Sequence, residues 1–192
     1  MRIVPLEASH GDALLRFFRS LSEADRTFIK EEVTEEATVR AWTTARTTAR
    51  TTAGPGGDAR AHRWVSLDGE EVTGFVAVLP LSGWSDHVGE IRLVVAPDRR
   101  GSGLGRDLAR HALVQGVEAG LTKLIVEVVA DQGPALALFT GLGFSGEALL
   151  QDQIRDRDGQ LRDLMVLAHH VGSTWSRMDT VGMADAVEEA AG

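Results

Sequence analysis

Apolar and polar positions along the chain change period several times, and each change marks an element. Residues 2–6 alternate and predict an opening strand. From Asp12 the apolar residues Leu14, Leu15, Phe17, Phe18 and Leu21 fall largely on one side, which predicts a helix that Asp12 can cap. A polar break, Ser22-Glu23-Ala24-Asp25-Arg26, leads through Phe28 and Ile29 to an acidic cluster and a second helix containing Val39 and Trp42. Residues 62–67 and 72–79 return to period two around Asp68-Gly69, a two-residue hairpin signal. Residues 81–87 read as a loop and residues 88–95 as a strand. Helical spacing resumes with Leu104, Leu108, Ala109, Ala112, Leu113 and Val117, and Gly120 supplies the stop. Residues 124–129 form a β-branched run expected to be a buried parallel strand. Pro134 suits the first turn of a short helix that closes at 141–143, and residues 144–154 and 161–168 are two more strands around Asp158-Gly159. The predicted order is strand, two helices, three strands, helix, strand, helix, two strands.

One junction carries chemistry. Residues 94–108, VVAPDRRGSGLGRDL, run from an apolar strand through a loop with Gly101, Gly103 and Gly105 into a helix. Residues without side chains let a ligand approach the backbone, and the first turn of a helix leaves N–H groups without partners. Those donors and the positive end of the helix dipole suit phosphate oxygens. A dinucleotide fingerprint starting at Gly101 would need glycine at Arg106, and a P-loop would need Lys followed by Ser or Thr after its last glycine. Neither fits. A plain strand-to-helix turn is the structural alternative.

Composition narrows the field. With 192 residues, 43% of them hydrophobic, the chain can build one domain with a full core; residues 1–170 are assigned to it and 171–192 to a tail. Residues 181–191 of the tail suit a short terminal helix or disorder. Residues 43–54 read TTAR TTAR TTAG, which buries no apolar face, so 43–60 is a low-complexity loop or helix extension without assigned chemistry. A net charge of -8 argues against nucleic acid and anionic membranes as partners and favours a cationic substrate. The absence of cysteine excludes disulfides, thiolate metal sites and a Cys nucleophile, and no metal is expected. Without an apolar stretch of about twenty residues, or a basic-then-apolar start, the chain is expected to be soluble and cytoplasmic.

The segment R-x-x-G-x-G at Arg100, Gly103 and Gly105 resembles the acetyl-CoA pyrophosphate loop of the GNAT superfamily of N-acetyltransferases. A second segment, residues 132–144 (QGPALALFTGLGF), is similar to that family's motif through Ala135 and Leu142-Gly143-Phe144. The resemblance covers about residues 2–169. It implies an α/β (α+β) fold: a mixed, mostly antiparallel central sheet of six to seven strands with helices on both faces. It also implies direct acetyl transfer from acetyl-CoA to a primary amine of a small molecule or peptide, by a monomer or homodimer.

Residue by residue, the resemblance assigns Leu93, Val94 and Val95 to the strand edge that holds the pantetheine arm and supplies an oxyanion donor. The main chain of Arg100, Gly101, Ser102, Gly103, Leu104, Gly105 and Arg106 would hold the pyrophosphate. Side-chain changes at Ser102 or Leu104 should then matter less than a bulky residue at Gly103. Gln132 and Phe139 are assigned to the cofactor as well. An amine of pKa about 10.4 is protonated at neutral pH, so something must accept its proton. Glu90 is the candidate base, with His87 or a water chain as competitors and a sheet-surface carboxylate paired with Arg92 as the structural alternative. Relatives usually place this glutamate where Gly89 stands here, and a one-residue slip reverses the face unless a bulge restores it.

At Phe139 most relatives carry a tyrosine that protonates the thiolate, and this chain has no tyrosine at all. Water or Thr140 is left for that step. For the acceptor, Trp84 either lines a substrate mouth or covers the sheet edge. Glu31 and Glu32 belong either to an amine-attracting rim or to a solvated face. A non-catalytic acyl-CoA-binding module is the competing function, and a nucleotide-phosphate binder a remoter one.

Overall fold

The computed structural model describes residues 1–26, 29–44 and 61–172. The TTAR repeat beyond Thr44 and the tail beyond Gly172 lie outside the described residues. Seven strands form one sheet: β1 (Arg2–Pro5), β2 (His62–Asp68), β3 (Glu71–Pro80), β4 (Val88–Val95), β5 (Lys123–Val129), β6 (Ser145–Arg155) and β7 (Leu161–His170). Their order across the sheet is β1-β2-β3-β4-β5-β7-β6. Every pairing is antiparallel except β4 with β5. The β-branched run of β5 is thus parallel to β4 on one side only and antiparallel to β7 on the other.

Five helices accompany the sheet among the described residues: α1 (Gly11–Ser20), α2 (Glu23–Arg26), α3 (Glu36–Thr44), α4 (Leu104–Glu118) and α5 (Gly133–Thr140). Alternation along the strands sorts the core into two layers. Val65, Phe75 and Ala77 pack with Leu14, Phe18 and Val39 of α1 and α3. Val76, Val78, Ile91 and Leu124 pack with Leu108 and Ala112 of α4 and with Phe139 of α5. Helices therefore lie on both faces.

Two local expectations are corrected. Helix α1 begins at Gly11 with His10 in the cap position, and Asp12 stands in its first turn, where its charge suits the helix dipole. The polar break after it is the helical turn α2: the Ser22 hydroxyl accepts from the Asp25 amide at 3.1 Å and donates to the Asp25 carboxylate at 2.7 Å.

Helix α4 sits close on the sheet because small residues allow it. A Cβ at Gly74 would stand 2.7 Å from Leu108 Cδ1, and one at Gly89 would stand 2.5 Å from Leu121 Cδ1. Leu104, read from sequence as tolerant because only its amide would matter, has 3% of its surface exposed and packs in the α4 layer. Leu104→Ala is expected to cost about 2–5 kcal/mol of stability by leaving a cavity. Denaturant unfolding of the variant measures that loss, and a change under ~0.5 kcal/mol would contradict the packing described.

Candidate active site

Beyond Glu90 the parallel strands part. The β4–β5 ladder holds only for Val88↔Lys123, Gly89↔Leu124 and Glu90↔Ile125. Residues 91–95 of β4 and 126–129 of β5 instead line the two walls of an open cleft of about 1300 Å³. On its other side β4 remains fully paired with β3, from Gly89 to Val95. The peptide groups of residues 91–95 that face β5 therefore have no strand partner among the described residues. Leu93, Val94 and Val95 all border the opening.

The glycine loop forms one end of the cleft. Gly101 and Gly103 have φ of +75° and +94°, and Gly103 caps α4 in the left-handed conformation with no side-chain cap. The main-chain N–H groups of Gly103, Gly105 and Arg106 donate to no acceptor among the described residues, which leaves a row of donors at the positive end of a 15-residue helix. Gly105 lets α4 approach α5, since a Cβ there would lie 3.1 Å from Leu138 Cδ1. Ser102 is exposed and its hydroxyl donates to the Arg99 carbonyl at 2.6 Å. Arg100 reaches Asp25 at 2.6 Å, which ties the loop to α2. Burial acts to raise the Asp25 carboxyl, but hydrogen bonds from Ser22 and Arg100 outweigh it and hold the group below its usual range.

Glu90 stands where the strands diverge, with 7% of its surface exposed. Register between β3 and β4 is unbroken, so no bulge turns the residue. Gly89 faces the packed α4 layer, where a glutamate has no room, and Glu90 faces the α1–α3 side by simple alternation. Pairing with Arg92 is present: Nε donates to Glu90 Oε1 and Nη2 to Oε2, both at 3.0 Å. Lys30 Nζ donates to Glu90 Oε1 at 2.7 Å and lies 2.9 Å from Glu127 Oε2, while Arg92 also pairs with Glu31. Three carboxylates thus share Lys30 and Arg92, and a further cation, Arg63, lies over the Trp42 ring at 5.2 Å on the same wall. Burial is the main influence on Glu90 and pushes its carboxyl above the ordinary range; Lys30 opposes the shift and Glu127 adds to it.

The other sequence candidates divide. Gln132 and Phe139 line the cleft, with Phe139 buried edge-on to Phe144 at 5.3 Å between centroids. Glu31 lines it through its pair with Arg92. His87, Trp84 and Glu32 do not. His87 is exposed at the outer start of β4. Trp84 is 96% exposed on the turn before that strand, with no described element packed over it. The Glu32 carboxylate is taken by the hydroxyl of Thr34. The Thr140 hydroxyl donates back to the Leu136 carbonyl at 2.9 Å and does not line the cleft.

Sequence reasoning missed Lys30, Trp42 and Glu127. Trp42 stacks on Phe75, with centroids 5.3 Å apart, and both rings form the wall beneath Lys30 and Glu31. The available signal was Glu127 itself, the one charge inside the run LIVEVV. Among the described residues no group of three or more His, Asp or Glu is placed to hold a metal ion. No helix among them is long and apolar enough to cross a membrane.

Comparison with known proteins agrees with this geometry. Residues 18–144 match the model of the acetyltransferase (GNAT) family. Streptothricin acetyltransferase of Streptomyces lavendulae is 36% identical over 92 residues, 48% of this chain and 48% of that protein. Mycothiol acetyltransferase of Kocuria rhizophila is 40% identical over 80 residues, 40% of this chain and 26% of that protein. The chain thus spans half or less of the length of these two relatives. Among solved structures, a ribosomal-protein-alanine N-acetyltransferase from Brucella melitensis superposes with a TM-score of 0.73 at 19% identity, covering 88% of this chain and 99% of that one. An acetyltransferase from Salmonella typhimurium, solved with its cofactor acetyl-CoA, gives 0.73 at 18% identity over 89% and 94%. With the family model spanning both the glycine loop and the Leu142-Gly143-Phe144 segment, the chain belongs to the GNAT acetyltransferase family.

Proposed function

We propose that this chain transfers the acetyl group of acetyl-CoA directly to a primary amine of a small molecule or peptide. The observation that carries the reading is the cleft itself: an unpaired strand edge, a donor-rich glycine loop at one end and a buried carboxylate at the apex. The free amides of residues 103, 105 and 106 take the diphosphate, with Gly101 giving the backbone close access. Peptide groups of residues 93–95 pair with the amide-rich arm as an added strand would, and Gln132 and Phe139 border it from α5.

The acceptor enters from the α1–α3 side, where the carboxylates of Glu31, Glu90 and Glu127 and the Trp42–Phe75 wall can receive an ammonium group. Glu90 accepts the proton of that ammonium. The freed amine attacks the thioester carbon, a main-chain N–H of β4 holds the carbonyl oxygen as it becomes charged, and the C–S bond breaks. The thiolate takes its proton from solvent, since Phe139 has none to give. A coenzyme A thiolate is a good enough leaving group for this.

Thiol release from acetyl-CoA with a panel of di- and polyamines, peptides and aminoglycosides tests the reading. Release that depends on an added amine supports it. Thermal stabilisation by CoA without release would favour an acyl-CoA-binding module, the reading that Phe139 and the double grip of Arg92 on Glu90 would then explain.

Turnover is expected to fall as pH drops through the Glu90 value, which lies above the ordinary glutamate range, because only the ionised carboxylate can accept a proton. Lys30 holds that value down, so Lys30→Met should move the acid limb of the pH–rate profile to higher pH. An unmoved limb would show that another group sets it.

A further inference from the structure

We propose that Lys30 is itself an acceptor, acetylated at Nζ by its own chain. The inference rests on the acetyltransfer reading above and extends it to a residue of the protein. An acceptor amine must come within hydrogen-bond reach of the base that deprotonates it. Lys30 Nζ already sits there, 2.7 Å from Glu90 Oε1, in the cleft bordered by the open edge of β4.

Two further observations single out this side chain. Its 44% exposure keeps the amine within reach of a ligand in the cleft rather than sealed in a core. The chain has 20 basic residues of which only Lys30 and Lys123 are lysines, and arginine fills the neighbouring cationic place at Arg92. A guanidinium stays protonated and is no nucleophile here, whereas a lysine nitrogen, once a base has taken its proton, is one. Lys123 provides an internal comparison, because it pairs with Glu147 at 2.6 Å outside the cleft.

The step balances. Glu90 takes one proton from the Lys30 ammonium, the nitrogen forms a bond to the acetyl carbon, and the C–S bond breaks. The thiolate then picks up a proton from water, the amide nitrogen loses its second proton, and Glu90 returns its own to solvent. The products are acetyl-lysine, free CoA and one proton. Acetylation removes the cation shared by Glu90 and Glu127 and leaves Arg92 paired with Glu90 and Glu31. The site then carries one more unit of negative charge for an incoming ammonium.

The test incubates the whole purified protein with acetyl-CoA labelled by deuterium in the acetyl group, and follows each lysine by peptide mass spectrometry. Label is expected at Lys30 at about tenfold or more the rate at Lys123, falling to the Lys123 rate in Glu90→Gln. An unlabelled Lys30, equal rates at both lysines, or a Glu90→Gln protein that labels Lys30 as fast as the parent would each overturn the proposal. The ratio within the unaltered protein stands even if the variant misfolds. Thiol release with external amines, scored in the same mixtures, separates the two readings. Release with an unlabelled Lys30 overturns self-acetylation alone, and no release with no label overturns both.

Discussion

Gly103→Val is expected to weaken coenzyme A binding by about tenfold to a hundredfold while leaving the fold intact. A Cβ at Gly103 meets nothing within 4 Å, so the penalty is not a clash. It arises because φ of +94° is a conformation that a β-branched residue adopts only at a cost of about 1–3 kcal/mol. The loop escapes that cost by turning the peptide, and the escape withdraws the amides of residues 103, 105 and 106 from a common point. Ser102→Ala, which removes a hydroxyl that donates to the Arg99 carbonyl and accepts from the Leu104 amide at 3.5 Å without changing the backbone, serves as the contrast and should cost far less. Calorimetric titration of both variants measures the difference. Equal affinities would remove the glycine loop from the binding site.

Glu90→Gln is expected to lower turnover by about a hundredfold to ten-thousandfold with coenzyme A affinity unchanged. Glutamine keeps the size and can still accept a hydrogen bond from Lys30 or Arg92, but it cannot take up the acceptor's proton. The carboxylate lies on the α1–α3 side of the sheet, away from the glycine loop, so loss of cofactor binding would point to a misfolded variant rather than a missing base. A rate within about threefold of the parent across the pH range would assign proton removal to water instead.

Much of the scaffold was legible because its signals are local. Period-two runs around Asp68-Gly69 and Asp158-Gly159 became the β2–β3 and β6–β7 hairpins, and Gly120 and Pro134 ended or opened helices where expected. The glycine loop could be read for the same reason: strand, turn and helix N-terminus are contiguous. The acceptor side could not. Lys30, Trp42, the Glu90–Arg92 pair of β4 and Glu127 come from four separate places in the sequence and meet only when α1 and α3 pack on the sheet beside the parted strands. The sequence shows Trp42 only as part of a helix and leaves Trp84 between lining a substrate mouth and covering the sheet edge, neither of which its 96% exposure outside the cleft supports.

Register decides which way Glu90 faces. The sequence left open whether a bulge turns Glu90, and the unbroken β3–β4 ladder answers that alternation alone does so, with Gly89 against Leu121. Conversely, the irregularity in β6 between Leu150 and Ile154 carries no glycine to announce it. There Asp152 adopts φ of +52°, and its amide donates to the Asp163 carboxylate at 2.9 Å, a long-range brace that no local pattern reveals.

The account stands on the amides of the glycine loop receiving the diphosphate of coenzyme A. The direct measurement is an NMR titration of protein carrying isotope-labelled glycine. Saturable shifts of the Gly101, Gly103 and Gly105 amide signals, with Gly69 and Gly159 at the hairpin tips unmoved, are the predicted result. Loop signals that stay fixed while coenzyme A binds, or shifts confined to the hairpins, would contradict it.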